Sequence, residues 1–196
     1  MFKDLHDYLY HLAPTGGLPM KPVGILLGVA LLGAHLWALK NGDKTKTFLR
    51  TFPRHYGWGA LILTIDFAWA MMVLANMDMG EFFFLRKWFL TLVPIGYFLV
   101  LTYVKEFLSV RALGSLMLLV AGPVLASAFL QPQMTRLLLP LLAYAWIISG
   151  MFFVGMPYLM RDWITWLLAK EGRWNLAVSS GIGYGLALLV LAILTY

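Results

Sequence analysis

Tyr56-Gly57-Trp58-Gly59-Ala60-Leu61-Ile62-Leu63-Thr64-Ile65-Asp66-Phe67-Ala68-Trp69-Ala70-Met71-Met72-Val73-Leu74 is the stretch that decides the fold of this chain. As an α-helix rising about 1.5 Å per residue, this run covers most of a hydrocarbon core about 30 Å thick. Its only charged residue is Asp66. An ionisable group inside a span costs roughly 2.5–3.5 kcal/mol on insertion scales, so it is expected to face protein or water and to mark either a functional site or a helix–helix hydrogen bond.

The rest of the chain repeats the pattern. Hydrophobic residues make up 61% of the 196 positions and charged residues 12%, against about 45–50% and about 25% in soluble domains. With a mean hydropathy of +0.79, only a bilayer accommodates such a composition in quantity. Apolar stretches lie at about 22–39, 57–77, 88–104, 113–130, 137–160 and 176–195, each near the length a helix needs to cross the membrane. The expectation is an all-α, polytopic membrane protein: a single domain over 1–196 with a bundle of about six transmembrane helices. The third span is the shortest, because Arg86 and Lys87 cut into the run beginning at Phe82 and must snorkel toward the headgroups.

Basic residues set the expected orientation. Lys40, Lys44, Lys46, Arg50, Arg54, Lys105, Arg111, Arg161, Lys170 and Arg173 fall on one side, and Lys3, Lys21, Arg86, Lys87 and Arg136 on the other. The positive-inside rule puts the first group in the cytoplasm and both termini outside, as in the plasma membrane of a prokaryote. The excess of basic residues, a net charge of +6, is thereby read as topology and not as nucleic-acid binding. The first eight residues lack the uninterrupted apolar core of a cleavable signal, so the first span is expected to direct insertion.

Two segments read as surface helices. Phe2, Leu5, Leu9 and Leu12 share a face opposite Lys3, Asp7 and His11, giving a short amphipathic N-terminal helix; Trp163, Trp166, Leu167 and Trp174 sit beside Lys170 and Arg173 in the same way. The basic stretch from Lys40 to Arg54 is read as a loop. Small residues four apart allow close helix contact in membranes, and on that basis Gly24 and Gly28 in the first span and Ala177, Gly181 and Gly185 in the sixth are expected packing faces. Pro94, Pro123, Pro140 and Pro157 are expected to break or kink their spans.

The chain has no cysteine, which excludes thiolate metal sites, disulfides and thiol nucleophiles. No hydrolase triad, paired-carboxylate set, metalloprotease motif or phosphate loop is present, so an enzyme is the weakest class. Asp66 lies about 13 Å into its span by helical rise, and Tyr184, Ser149 and Tyr97 fall near the same depth. A hydrogen bond from one of these is expected to satisfy an uncharged Asp66 carboxyl. His35 shares a helical face with Gly24 and Gly28 and looks into the bundle. A bond to a backbone carbonyl or to Asp66 is one expectation for it. Ligation of a haem or chlorophyll-type pigment is another. Asp7 and His11, with His6 nearby, have a spacing that suits a divalent ion, and equally a solvated face.

Three functions follow as expectations. The first is a non-catalytic subunit or assembly factor of a larger membrane complex, with other membrane subunits or a second copy as partners. The second is a small ion- or proton-coupled transporter using Asp66. The third is a cofactor-bearing electron-transfer or light-harvesting subunit using His35.

Overall fold

The computed structural model describes residues 2–12 and 17–196. Its helices are α1 (Phe2–Tyr10), α2 (Met20–Lys40), α3 (Gly42–Thr51), α4 (Tyr56–Asn76), α5 (Arg86–Tyr103), α6 (Leu108–Ala128), α7 (Leu138–Gly155), α8 (Tyr158–Leu168) and α9 (Glu171–Leu194), with 3₁₀ turns at Phe52–Arg54, Gly80–Leu85 and Met134–Leu137. Among the described residues six segments are long and apolar enough to cross a membrane: α2, α4, Gly80–Tyr103, α6, Met134–Gly155 and α9. The protein is an all-α, multi-pass membrane protein.

The boundaries shift for local reasons. The fifth span stops at Gly155, not at residue 160, because Met156 leaves helical geometry and Pro157 carries no N–H to continue the ladder. Pro140 sits in the first turn of α7, where that missing donor costs nothing. Pro94 and Pro123 stay inside unbroken helices. At the start of the third span, Arg86 donates to the Met77 carbonyl and stacks its guanidinium 4.5 Å from the Phe83 ring centre. A 3₁₀ turn carries the apolar run on from Gly80 to Arg86.

Glycines set the helix pairing. A Cβ on Gly28 would come within 2.9 Å of the Leu189 backbone nitrogen, and one on Gly185 within 2.9 Å of that of Leu32, so α2 and α9 touch backbone to backbone. The same reciprocity joins α6 to α7: a Cβ on Gly114 would lie 2.8 Å from the Gly150 carbonyl oxygen, and one on Gly150 2.8 Å from that of Gly114. Gly59 brings α4 against Leu108 and Ser109 at the start of α6. These contacts replace hydrophobic driving force, which is weak between helices already in lipid, with close van der Waals packing. Gly24 abuts Ala192 and Tyr196, and Gly181 abuts the His35 ring. Ala177 is half-buried beside the cluster of Ala38, Leu167, Trp174 and Val178.

The main core joins α2, α6, α7 and α9 through residues such as Met20, Leu27, Val124, Leu139 and Leu188. Helix α5 stands apart from it. Its chief neighbour is α4, and none of its residues is buried.

The two ends of the bundle are closed by surface helices. At one end the basic stretch expected as a loop is helix α3, whose Lys46 meets Glu171 at 2.6 Å, and the following turn plugs Phe52 among Val110, Met160 and Ile164. The expected surface segment around Trp163 to Trp174 is divided. Trp163, Trp166 and Leu167 belong to α8, whereas Trp174 is buried in α9, because the chain turns at Lys170 in extended geometry and starts a new helix. At the opposite end α1 packs on α4 and α6, with the Tyr10 hydroxyl accepting a 2.9 Å hydrogen bond from Trp69 Nε1.

Candidate functional site

Asp66 is the central residue of α4, ten positions from each end, or about 15 Å from either by helical rise. Its side chain is buried, with only 4% of the residue exposed. Neither carboxyl oxygen has a hydrogen-bond partner, and the residue joins no ion pair, among the described residues. A buried polar atom in that condition carries its full desolvation penalty, so few are tolerated without a function.

Asp66 lines a largely open cavity of about 420 Å³ between α4, α5 and α6, bordered also by Val154 of α7, and both of its carboxyl oxygens are buried. Each wall is one helical face. Helix α4 contributes Leu63, Asp66, Phe67 and Ala70, and α5 contributes Val93, Gly96, Tyr97 and Val100, both at the i, i+3, i+4, i+7 spacing of a single stripe. Ser115, Leu118 and Leu119 form the α6 wall. The space exists partly because Gly96 has no side chain: a Cβ there would meet nothing within 4 Å.

The hydroxyls at and beside the cavity are committed. Thr64 Oγ1 donates to the Ala60 carbonyl at 2.7 Å and therefore accepts, at 2.8 Å, from the Tyr97 hydroxyl. The Tyr97 ring stacks on Phe67 with centres 4.5 Å apart and planes 20° from parallel. Ser115 donates to the Arg111 carbonyl one turn back. Arg111 donates from Nη1 to the Val154 carbonyl near the end of α7, a favourable place for a cation because the last carbonyls of a helix are unpaired, while its Nε is buried without a partner among the described residues.

Of the residues expected beside Asp66, only Tyr97 shares its cavity, and it bonds to Thr64 instead. Tyr184 donates to the Leu138 carbonyl at 2.6 Å, tying α9 to α7. Ser149 is half-buried on α7 and does not line the cavity. Similar depth along two helices does not make neighbours of them, and α9 is paired with α2. Of the two bonds weighed for His35, the one formed is to the backbone: Nδ1 lies 2.7 Å from the Leu31 carbonyl oxygen, and the Nε2 edge is packed on Gly181.

No family model, curated protein or solved structure matches this chain. The chemistry of the site therefore rests on its own residues. Among the described residues no three His, Cys, Asp or Glu side chains converge as metal ligands, and on α1 His6 Nδ1 is 3.1 Å from Asp7 Oδ1. Phe67, Ala70, Gly96 and Ser115 were not singled out by sequence reasoning. The signal for the first three was the matching stripe on α4 and α5, which sets Gly96 across the cavity from the helix of Asp66; Ser115 lies on α6, outside that stripe.

Proposed function

We propose that this protein is a small membrane carrier whose substrate or coupling ion is held at Asp66. One observation carries the reading: Asp66, buried at mid-span, lines a cavity, and its carboxyl has no partner among the described residues. Carriers bind at the membrane midplane, and a volume of 420 Å³ lies within the range of about 300–1,000 Å³ common for ligand sites. A helix clamp, by contrast, requires the carboxyl to be bonded to another helix. A role as subunit of a larger assembly finds no observation of its own, since the exposed flank of α5 is equally the surface a bilayer covers.

The test is labelling with an apolar carbodiimide, a reagent that reaches carboxyls shielded from water. Label is expected at Asp66 and expected to vanish in Asp66→Asn. A carboxyl sealed by packing stays unlabelled, and that outcome would remove the carrier reading.

We also place the chain in a prokaryotic plasma membrane, with α3 and α8 at the cytoplasmic face and both termini outside, following the bias of basic residues. The absence of cysteine makes a single introduced thiol diagnostic. An impermeant maleimide is expected to label Lys3→Cys in intact cells and Lys44→Cys only after permeabilisation. The reverse pattern contradicts this orientation.

A further inference from the structure

We infer that the occupant of the Asp66 cavity is a lipophilic amine: a compact apolar molecule carrying one protonated nitrogen. This inference rests on the carrier reading of the site and adds its ligand class.

The argument begins with what the cavity lacks. Its hydroxyls at Tyr97 and Ser115 already donate within the protein, so Asp66 is the one uncommitted polar side chain on its walls. A carboxylate in such surroundings is costly unless a cation is paired with it. Among the described residues the protein supplies none. A metal ion is a poor fit, because hard cations take about six or more oxygen ligands and one carboxyl cannot supply them. An ammonium needs far fewer acceptors. Phe67 and Tyr97 line the same space, and an aromatic ring attracts an alkylated ammonium to its open face through the ring quadrupole. The remaining wall, from Leu63, Val93, Val100 and Leu118, is apolar and suits a hydrocarbon or aryl body.

The position of the site agrees with this class. Asp66 lies at the centre of α4, and the outer wall is α5, none of whose residues is buried. A ligand that partitions into the bilayer reaches such depth without a water-filled path. A strongly hydrated cation does not.

The probe is radiolabelled N,N-dimethyl-4-phenylbutylamine, measured on the full chain in phospholipid nanodiscs and corrected for nanodiscs without protein. Saturable binding of one amine per chain is expected, displaced by unlabelled amine and not by 4-phenylbutanol. Asp66→Asn is expected to weaken it at least about thirtyfold, the lower end of the loss when one member of a desolvated charge pair is removed. Gly96→Leu, which adds a bulky side chain to the cavity wall where a Cβ meets nothing within 4 Å, is expected to abolish binding while leaving the carboxyl intact. Equal binding by Asp66→Asn, or equal displacement by the alcohol, overturns the amine assignment. If Asp66 takes the carbodiimide but no saturable amine binding is found, the ligand class fails and the site stands; if Asp66 takes no carbodiimide, the site itself fails.

Discussion

Gly114→Leu is expected to lower the melting temperature of the purified protein by about 6–12 °C. A Cβ at this position would stand 2.8 Å from the Gly150 carbonyl oxygen and 3.0 Å from Phe153 Cβ and Val154 Cγ2. The first of these is backbone and cannot swing aside, so α6 and α7 must separate. Overpacking of flexible cores costs about 1–3 kcal/mol, and a backbone collision belongs at or above the upper end; for a chain of this size each kcal/mol shifts melting by about 2–4 °C. The contact is also reciprocal, since Gly150 meets the Gly114 carbonyl at the same distance. Gly183→Ala is the control. Gly183 is exposed on α9 with open space beside it, and alanine there is expected to leave stability unchanged or raise it by up to about 1 kcal/mol. If Gly114→Leu melts with the control in a detergent-solubilised thermal scan, the proposed backbone contact is absent.

Asp66→Leu is expected to act in the opposite direction and raise the melting temperature by about 3–8 °C. The substitution removes two buried oxygens that have no partner among the described residues. Leaving a polar group unsatisfied costs about 1–3 kcal/mol, and for a chain of this size each kcal/mol recovered raises melting by about 2–4 °C. The sign separates the two roles weighed for this residue. A helix clamp loses its bond and melts earlier, whereas a binding group kept at the expense of stability melts later. A fall in melting temperature would return Asp66 to the clamp role.

Much of the fold was legible because a bilayer imposes one strong rule, that each span be apolar over a fixed length. The six spans follow from that rule, as does the exception that Asp66 makes within one of them; α1 was legible separately, from its amphipathic spacing. The ends of spans were harder to read. Met160 and Trp174 have the composition of a span end and of a surface helix, but Pro157 starts a separate helix before the first, and the turn at Lys170 carries the second into α9.

The neighbours of Asp66 were not legible, for a geometric reason. Helical rise gives depth along the membrane normal, and on that axis Tyr184, Ser149 and Tyr97 were equivalent. Which helices stand side by side is decided by close approaches such as Gly59 on Ser109 and Gly28 on Leu189, which put α4 beside α6 and α9 beside α2. Gly96 shows the same limit. Nothing in the sequence singles it out, yet in the fold it borders the cavity that Asp66 lines.

Carbodiimide labelling of the unmodified protein in its membrane, with the labelled peptide mapped by mass spectrometry, tests the central claim most directly. If Asp66 faces a cavity that apolar molecules enter, the label falls on the peptide containing Asp66 and is lost when Gly96→Leu fills the space. Asp66 left unmodified while carboxyls at the ends of the bundle react, or label at Asp66 undiminished by Gly96→Leu, would contradict it.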